Sequence, residues 1–172
     1  MRLAFFQRDI AAIIRLVPFT TSLAAVVLTV VPVHVPGLAI ATPAFALMAI
    51  YHWTIYRPDL LPASGVFILG LVLDLLNGTP YLGLSSLTLL IARSLVLAQR
   101  PYIINRAFAV VWAGFLGNAA VIIGIEWLLT SVLSAMPLGS RPFAFQAIVT
   151  AAAFPIGSYL LAQSQRAFLQ RV

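Results

Sequence analysis

Apolar residues run through this chain in six blocks, at about 16–35, 38–56, 61–76, 82–98, 107–133 and 143–162. The blocks are continuous and lack the inside/outside alternation of a strand that lines a barrel, so each reads as a helix. A helix needs roughly 20 mostly apolar residues to cross the hydrocarbon of a bilayer, and six blocks of about this length leave only short tails and loops. The breaks carry turn formers: Pro32, Pro36 and Gly37; Arg57, Pro58, Asp59 and Pro62; Asn77, Gly78, Thr79 and Pro80; the stretch from Gln99 to Arg106; and Pro137, Gly139, Ser140 and Pro142. The pattern predicts an all-α, polytopic membrane protein with six transmembrane helices in one domain over residues 1–172. The first block follows a basic stretch, as in a secretory signal, but no small-x-small cleavage site follows it and it reads as a span. Pro43 and Pro155 fall inside blocks and are expected to kink them.

Composition removes the water-soluble alternative. Of 172 residues, 62% are hydrophobic and 8% charged, whereas a soluble surface wants about a quarter charged. The net charge of +6 comes from ten arginines against Asp9, Asp59, Asp74 and Glu126, with no lysine. In a soluble protein this excess would suggest nucleic acid. Here the arginines stand singly at the ends of apolar blocks, which points to topology, and no nucleic-acid partner is expected. With the N-terminus in the cytoplasm, Arg2, Arg8, Arg15, Arg57, Arg93, Arg100, Arg106, Arg166 and Arg171 all fall on the inner side and only Arg141 on the outer. That asymmetry requires an even number of spans, with both termini cytoplasmic. Tyr51, Trp53, Tyr56 and Tyr102 are expected in the inner aromatic belt, Tyr81 and Trp127 toward the outer one.

Few chemistries are open to such a chain. Without lysine there is no Schiff base or P-loop lysine, and without cysteine no thiolate or cysteine metal site. His34 and His52 are predicted at opposite faces of the membrane and cannot share a metal ion; both read as interfacial polar residues. Asp59 and Asp74 are likewise on opposite sides and cannot form an acid/base pair. No enzyme activity, metal or cofactor is expected.

Asp74 is the residue that stands out, because a carboxylate inside an apolar helix is costly and should face the protein or a watery cavity. Gly70, Asp74 and Gly78 follow at intervals of four, so one helix face can be approached closely by a neighbouring backbone. Asp74 reads as a ligand or proton site or, preferably, as a hydrogen-bonding cap for the turn from Asn77 to Gly83. Glu126 is predicted at the same outer level, with Arg141 in the next loop as its ion-pair partner. Ala113, Gly117, Ala120 and Gly124, and then Ala153 and Gly157, give small-xxx-small spacings suited to helix packing, more often within one chain than between chains.

Two segments together resemble a known family. Tyr51, His52, Trp53, Thr54, Ile55, Tyr56, Arg57 and Pro58, with Asp59 and Pro62, resemble the aromatic and Arg-Pro signature that ends the second helix in the rod shape-determining MreD family. Gly70 to Pro80, ending at Gly83, resembles that family's glycine, aspartate, glycine, proline, glycine pattern in the third helix. The specific part covers about 38–83. The resemblance implies a non-enzymatic inner-membrane component of the bacterial elongation machinery, working with the bitopic protein MreC and, indirectly, with MreB, RodA and a penicillin-binding protein. It also implies a fold similar to the substrate-binding subunits of energy-coupling-factor vitamin transporters. The candidate structural and interaction residues are therefore Tyr51, Trp53, Arg57, Pro58, Gly70, Asp74, Gly78, Pro80, Gly83, Glu126 and Arg141.

Two functions stand at this point. One is a membrane scaffold of the cell-elongation machinery that binds MreC. The alternative is a small-molecule, vitamin-like binding subunit of a transporter with its site in an outer cavity. The shortage of polar side chains to line a pocket favours the scaffold.

Overall fold

A computed structural model describes residues 2–31, 42–134 and 139–169, with side chains for 16–31, 42–134 and 139–163. Six helices follow one another: α1 (Arg2–Val30), α2 (Phe45–Tyr56), α3 (Ala63–Asn77), α4 (Leu84–Ile103), α5 (Phe108–Leu133) and α6 (Arg141–Leu169), with no strand among the described residues. The expected turn at Pro32, Pro36 and Gly37, the break at Pro137 and the residue His34 lie outside the described residues.

Each block holds one helix, but several boundaries move. The basic N-terminal stretch is the first half of α1 rather than a tail. The second block becomes a helix of only 12 residues, because Pro43 lies ahead of it; its carbonyl accepts the Phe45 amide at 2.8 Å and it kinks nothing. Pro155 does lie inside α6. Helix α4 continues through Gln99, Arg100 and Pro101 to Ile103, so the loop expected from Gln99 shrinks to the residues around Asn105, which has a positive φ of 61°. Arg141 and Pro142 open α6 instead of preceding it, a position where proline's missing amide costs nothing.

The short α2 is the axis of the bundle. Ten of its 12 residues, Ala46 through Ile55, are buried, and it packs against α1, α4, α5 and α6. A helix enclosed in this way need not be amphipathic, because every face meets protein. Its first amides are taken by hydroxyls of other helices: Ala46 N donates to Thr29 Oγ1 of α1 and Ala44 N to Thr150 Oγ1 of α6, both at 3.0 Å. At its other end Arg100 Nε of α4 donates to the carbonyl of Ile55 at 2.8 Å, and in the connection that follows, ahead of α3, Leu61 O accepts from Arg93 Nε at 3.3 Å. The unpaired backbone groups of a helix are costly wherever water is scarce, and this chain caps them across helices.

The outer helices are apolar toward the surroundings. Helix α5, and α6 over Arg141–Gln163, are long and apolar enough to cross a membrane, while Leu16–Val30 and α3 are apolar but shorter. Leu75, Leu82, Val132, Ile148, Ile156 and Tyr159 are all more than 60% exposed, a display that suits lipid and not water.

Candidate functional site

The hairpin of α3 and α4 contains the whole glycine and aspartate motif. Helix α3 ends in a left-handed residue, Gly78 at φ 61°, with Gly78 N donating to Leu75 O and Thr79 N to Asp74 O, both at 3.3 Å. This is a Schellman closure, which glycine allows without steric cost. After Pro80 and the bend, Gly83 takes φ 98° as the N-cap of α4. Asp74 is fully buried, and its two carboxylate oxygens accept the first amides of α4: Oδ2 from Gly83 N at 2.7 Å and Oδ1 from Ser85 N at 3.0 Å. An aspartate on α3 thus caps α4 and places its charge at the positive end of that helix dipole. One turn earlier on the same face, a β-carbon on Gly70 would stand 2.3 Å from Ser86 Cα. Ser86 Oγ closes the contact by donating to Phe67 O at 3.0 Å.

The opposite end of the bundle holds the aromatic motif. Tyr51 and Trp53, expected in an interfacial belt, are core residues at 1% and 0% exposure. Their polar tips find partners inside: Tyr51 Oη donates to Val111 O at 2.8 Å, and Trp53 Nε1 donates to Thr21 Oγ1 at 3.0 Å. Tyr51 also meets Phe115 and Phe154 edge-on, at 5.1 and 5.8 Å between ring centres, and those two rings stack at 4.0 Å. An aromatic residue with its hydroxyl satisfied is as much at home in a helix-lined core as in a headgroup layer. His52 is also buried, against Tyr56, and not interfacial. Of the four aromatics expected in the inner belt, Tyr56 and Tyr102 are the exposed ones. Arg57 caps α2 through its amide, donated to Trp53 O at 2.8 Å, and it stays exposed beside a half-buried Pro58.

At the end where α2 and α4 begin, a cavity of about 560 Å³, counting its open mouth, lies between the helices. Glu126, Gln146, Asn77, Thr29, Thr42, Ser85 and Thr88 supply its polar lining, and Ala44 with apolar side chains of α2 to α5 the rest. Glu126 has no side-chain partner among the described residues, and Asp74 lies within its electrostatic reach. The expected ion pair with Arg141 is absent there: Arg141 is exposed at the start of α6, where a guanidinium keeps its water, whereas Glu126 faces inward. No group of three or more histidine and acidic side chains able to hold a metal ion occurs among the described residues.

The small residues divide. Gly157 packs inside the molecule, where a β-carbon would come within 3.0 Å of Met48 Sδ of α2. Ala113, Gly117, Ala120 and Gly124 of α5 are all exposed, and a β-carbon on either glycine would meet nothing within 4 Å. The intramolecular packing expected of this stripe is therefore not found among the described residues. Sequence reasoning also missed Thr29, Thr150 and Arg100, which cap α2 from other helices, and Arg93, which holds the connection ahead of α3. Their only signal was polarity inside or just at the end of an apolar block.

Residues 10–164 match the family model described as rod shape-determining protein MreD. No curated protein and no solved structure is significantly similar to the chain.

Proposed function

The chain belongs to the MreD family of rod shape-determining proteins, and from that membership, taken with the open face of α5, we propose that it is a non-enzymatic membrane scaffold that holds a partner's spanning helix, that of MreC. Through MreC it joins MreB, RodA and a penicillin-binding protein in cell elongation. All six helices lie in the inner membrane as one domain with both termini cytoplasmic, and α2 is sheltered from lipid by its neighbours. Arg57, Arg93, Arg100 and Arg106 support this orientation, since helix pairing places them at one end of the bundle, away from Asp74 and Glu126. The likeness to energy-coupling-factor substrate-binding subunits belongs to the same reading.

The observation that carries the scaffold reading is the row Ala113, Gly117, Ala120 and Gly124, which recurs along one face of a helix that is otherwise apolar. Between helices in lipid there is no hydrophobic drive, and association relies on close backbone packing that small residues permit. Cysteine cross-linking in membranes tests it, because the chain has no cysteine of its own. Gly117→Cys and Gly124→Cys should form disulfides with single cysteines placed along the MreC spanning helix, at a helical period, while Ile156→Cys on the exposed face of α6 should not. Equal cross-linking from α5 and α6 would overturn the assignment of the face.

A further inference from the structure

The cavity between the first turns of α2 and α4 has a definite chemical character. Among the described residues its single charged side chain is the Glu126 carboxylate, and no arginine lines it. That carboxylate has no side-chain partner among the same residues. The other nearby charge is of the same sign: Asp74 lies within electrostatic reach, and its two oxygens are occupied by the Gly83 and Ser85 amides. Half-buried and uncompensated, a carboxylate at the level of a membrane is an expensive group that gains from a cation. Asn77 and Gln146 add amide oxygens able to accept further hydrogen bonds. The remaining described wall is made of the hydroxyl residues Thr29, Thr42, Ser85 and Thr88 and of leucine, isoleucine and alanine, the latter suited to a carbon chain, and contains no aromatic ring.

We propose that this cavity binds a primary ammonium group carried on an apolar body, with Glu126 as its counter-ion and Asn77 and Gln146 as additional acceptors. Three acceptors match the three donors of a primary ammonium. A quaternary ammonium has no N–H to give them, and the aromatic cage that recognises such groups is absent from the described lining. An anionic headgroup meets repulsion from Glu126 and Asp74. Two sources share the required chemistry, an aminolipid headgroup entering from the bilayer and a free amphiphilic amine. The site does not depend on where a partner helix docks.

Native mass spectrometry of the detergent-purified full chain, titrated with phosphatidylethanolamine, phosphatidylcholine or phosphatidylglycerol, tests the proposal, with n-hexylamine titrated separately by calorimetry. Phosphatidylethanolamine should be retained roughly tenfold better than the other two lipids, and Glu126→Gln should remove that preference. Binding of hexylamine alone, again lost in Glu126→Gln, would keep the site and assign it to a free amine. Should Glu126→Gln not fold, Gln146→Trp fills the mouth with the carboxylate intact and must abolish the same preference. Equal retention of the three lipids with no hexylamine binding, or a preference unchanged by these substitutions, overturns the proposal.

Discussion

At Gly70 a β-carbon would stand 2.3 Å from the backbone of α4, whereas at Gly117 and Gly124 of α5 it would meet nothing within 4 Å. Both regions are written in the same small-residue spacing, yet the α3–α4 hairpin consumes its glycines in building the fold and α5 leaves its own facing outward. In the hairpin each motif residue serves the local architecture, since Gly70 admits Ser86, Asp74 caps α4, Gly78 closes α3 and Gly83 starts α4 in a left-handed conformation. A motif of this kind marks a family through its architecture. Among the described residues the α5 glycines have no neighbour that a β-carbon would meet, and it is there that a second molecule has room.

Side chains placed on the two sets of glycines should have opposite effects on the fold. Gly70→Ala forces a β-carbon into Ser86 Cα and N, which are backbone atoms that cannot rotate away. The helices must separate, at a cost of about 3 kcal/mol or more from overpacking and the lost contact. The expected outcome is loss of folded protein from the membrane, read as reduced abundance and a lower melting temperature in detergent. A Gly70→Ala protein as stable as the parent would remove the contrast between the two regions.

Next in size is the cap. Asp74→Ala leaves the Gly83 and Ser85 amides without acceptors in a buried position, at about 2 to 3 kcal/mol for two charge-assisted hydrogen bonds. Asp74→Asn keeps one carbonyl acceptor and places an NH₂ opposite the other amide, so it should recover little. Thermal unfolding of both variants, with the amount of detergent-extractable protein, checks this. If Asp74→Ala were stable and lost only partner binding, the aspartate would belong with the exposed stripe and not with the fold.

A smaller effect is expected at the far end of α4. Arg100→Met keeps the aliphatic stem and removes the donor to the Ile55 carbonyl, which should cost about 1 kcal/mol, since the side chain is only half-buried and water can replace it. Melting temperature is the measurement. Between them, Asp74 and Arg100 sharpen what the hairpin does: one helix receives its N-terminal cap from α3 and gives a C-terminal cap to α2.

How much of this is legible in the residues follows from what each feature depends on. Hydropathy alone locates all six helices, because long apolar blocks and turn formers act locally. The length of α2 is not legible, since Pro43 sits inside an apolar run and only the enclosing helices allow the chain to be non-helical there. The capping role of Asp74 is within reach, as turn residues follow it directly, but its acceptance of α4 amides depends on the close crossing at Gly70. Amphipathic rings favour an interface, which points Tyr51 and Trp53 there, and composition does not reveal that Val111 O and Thr21 Oγ1 wait inside. The pairing of Glu126 with Arg141 rests on side alone, and sharing a side does not bring two groups within reach.

The α5 face gives the smallest stability effect and the most telling one. Gly124→Leu puts a large apolar side chain where nothing stands within 4 Å, on a helix surface that already carries exposed Val121 and Leu128. In lipid such a side chain is well solvated, and replacing a mid-helix glycine gains a few tenths of a kcal/mol to about 1 kcal/mol in helix propensity. The melting temperature in detergent should therefore stay level or rise slightly. A neighbouring helix, by contrast, would be held off by the width of the new side chain, so recovery of MreC with the tagged protein should fall about tenfold or more and rod-shaped cells should round up. Gly117→Leu, seven residues earlier on the same stripe, should behave alike, whereas Ile156→Leu on α6 should change neither reading. If Gly124→Leu lowered the melting temperature as Gly70→Ala does, the stripe would be a structural contact like the hairpin, and the partner would have to be sought on another face.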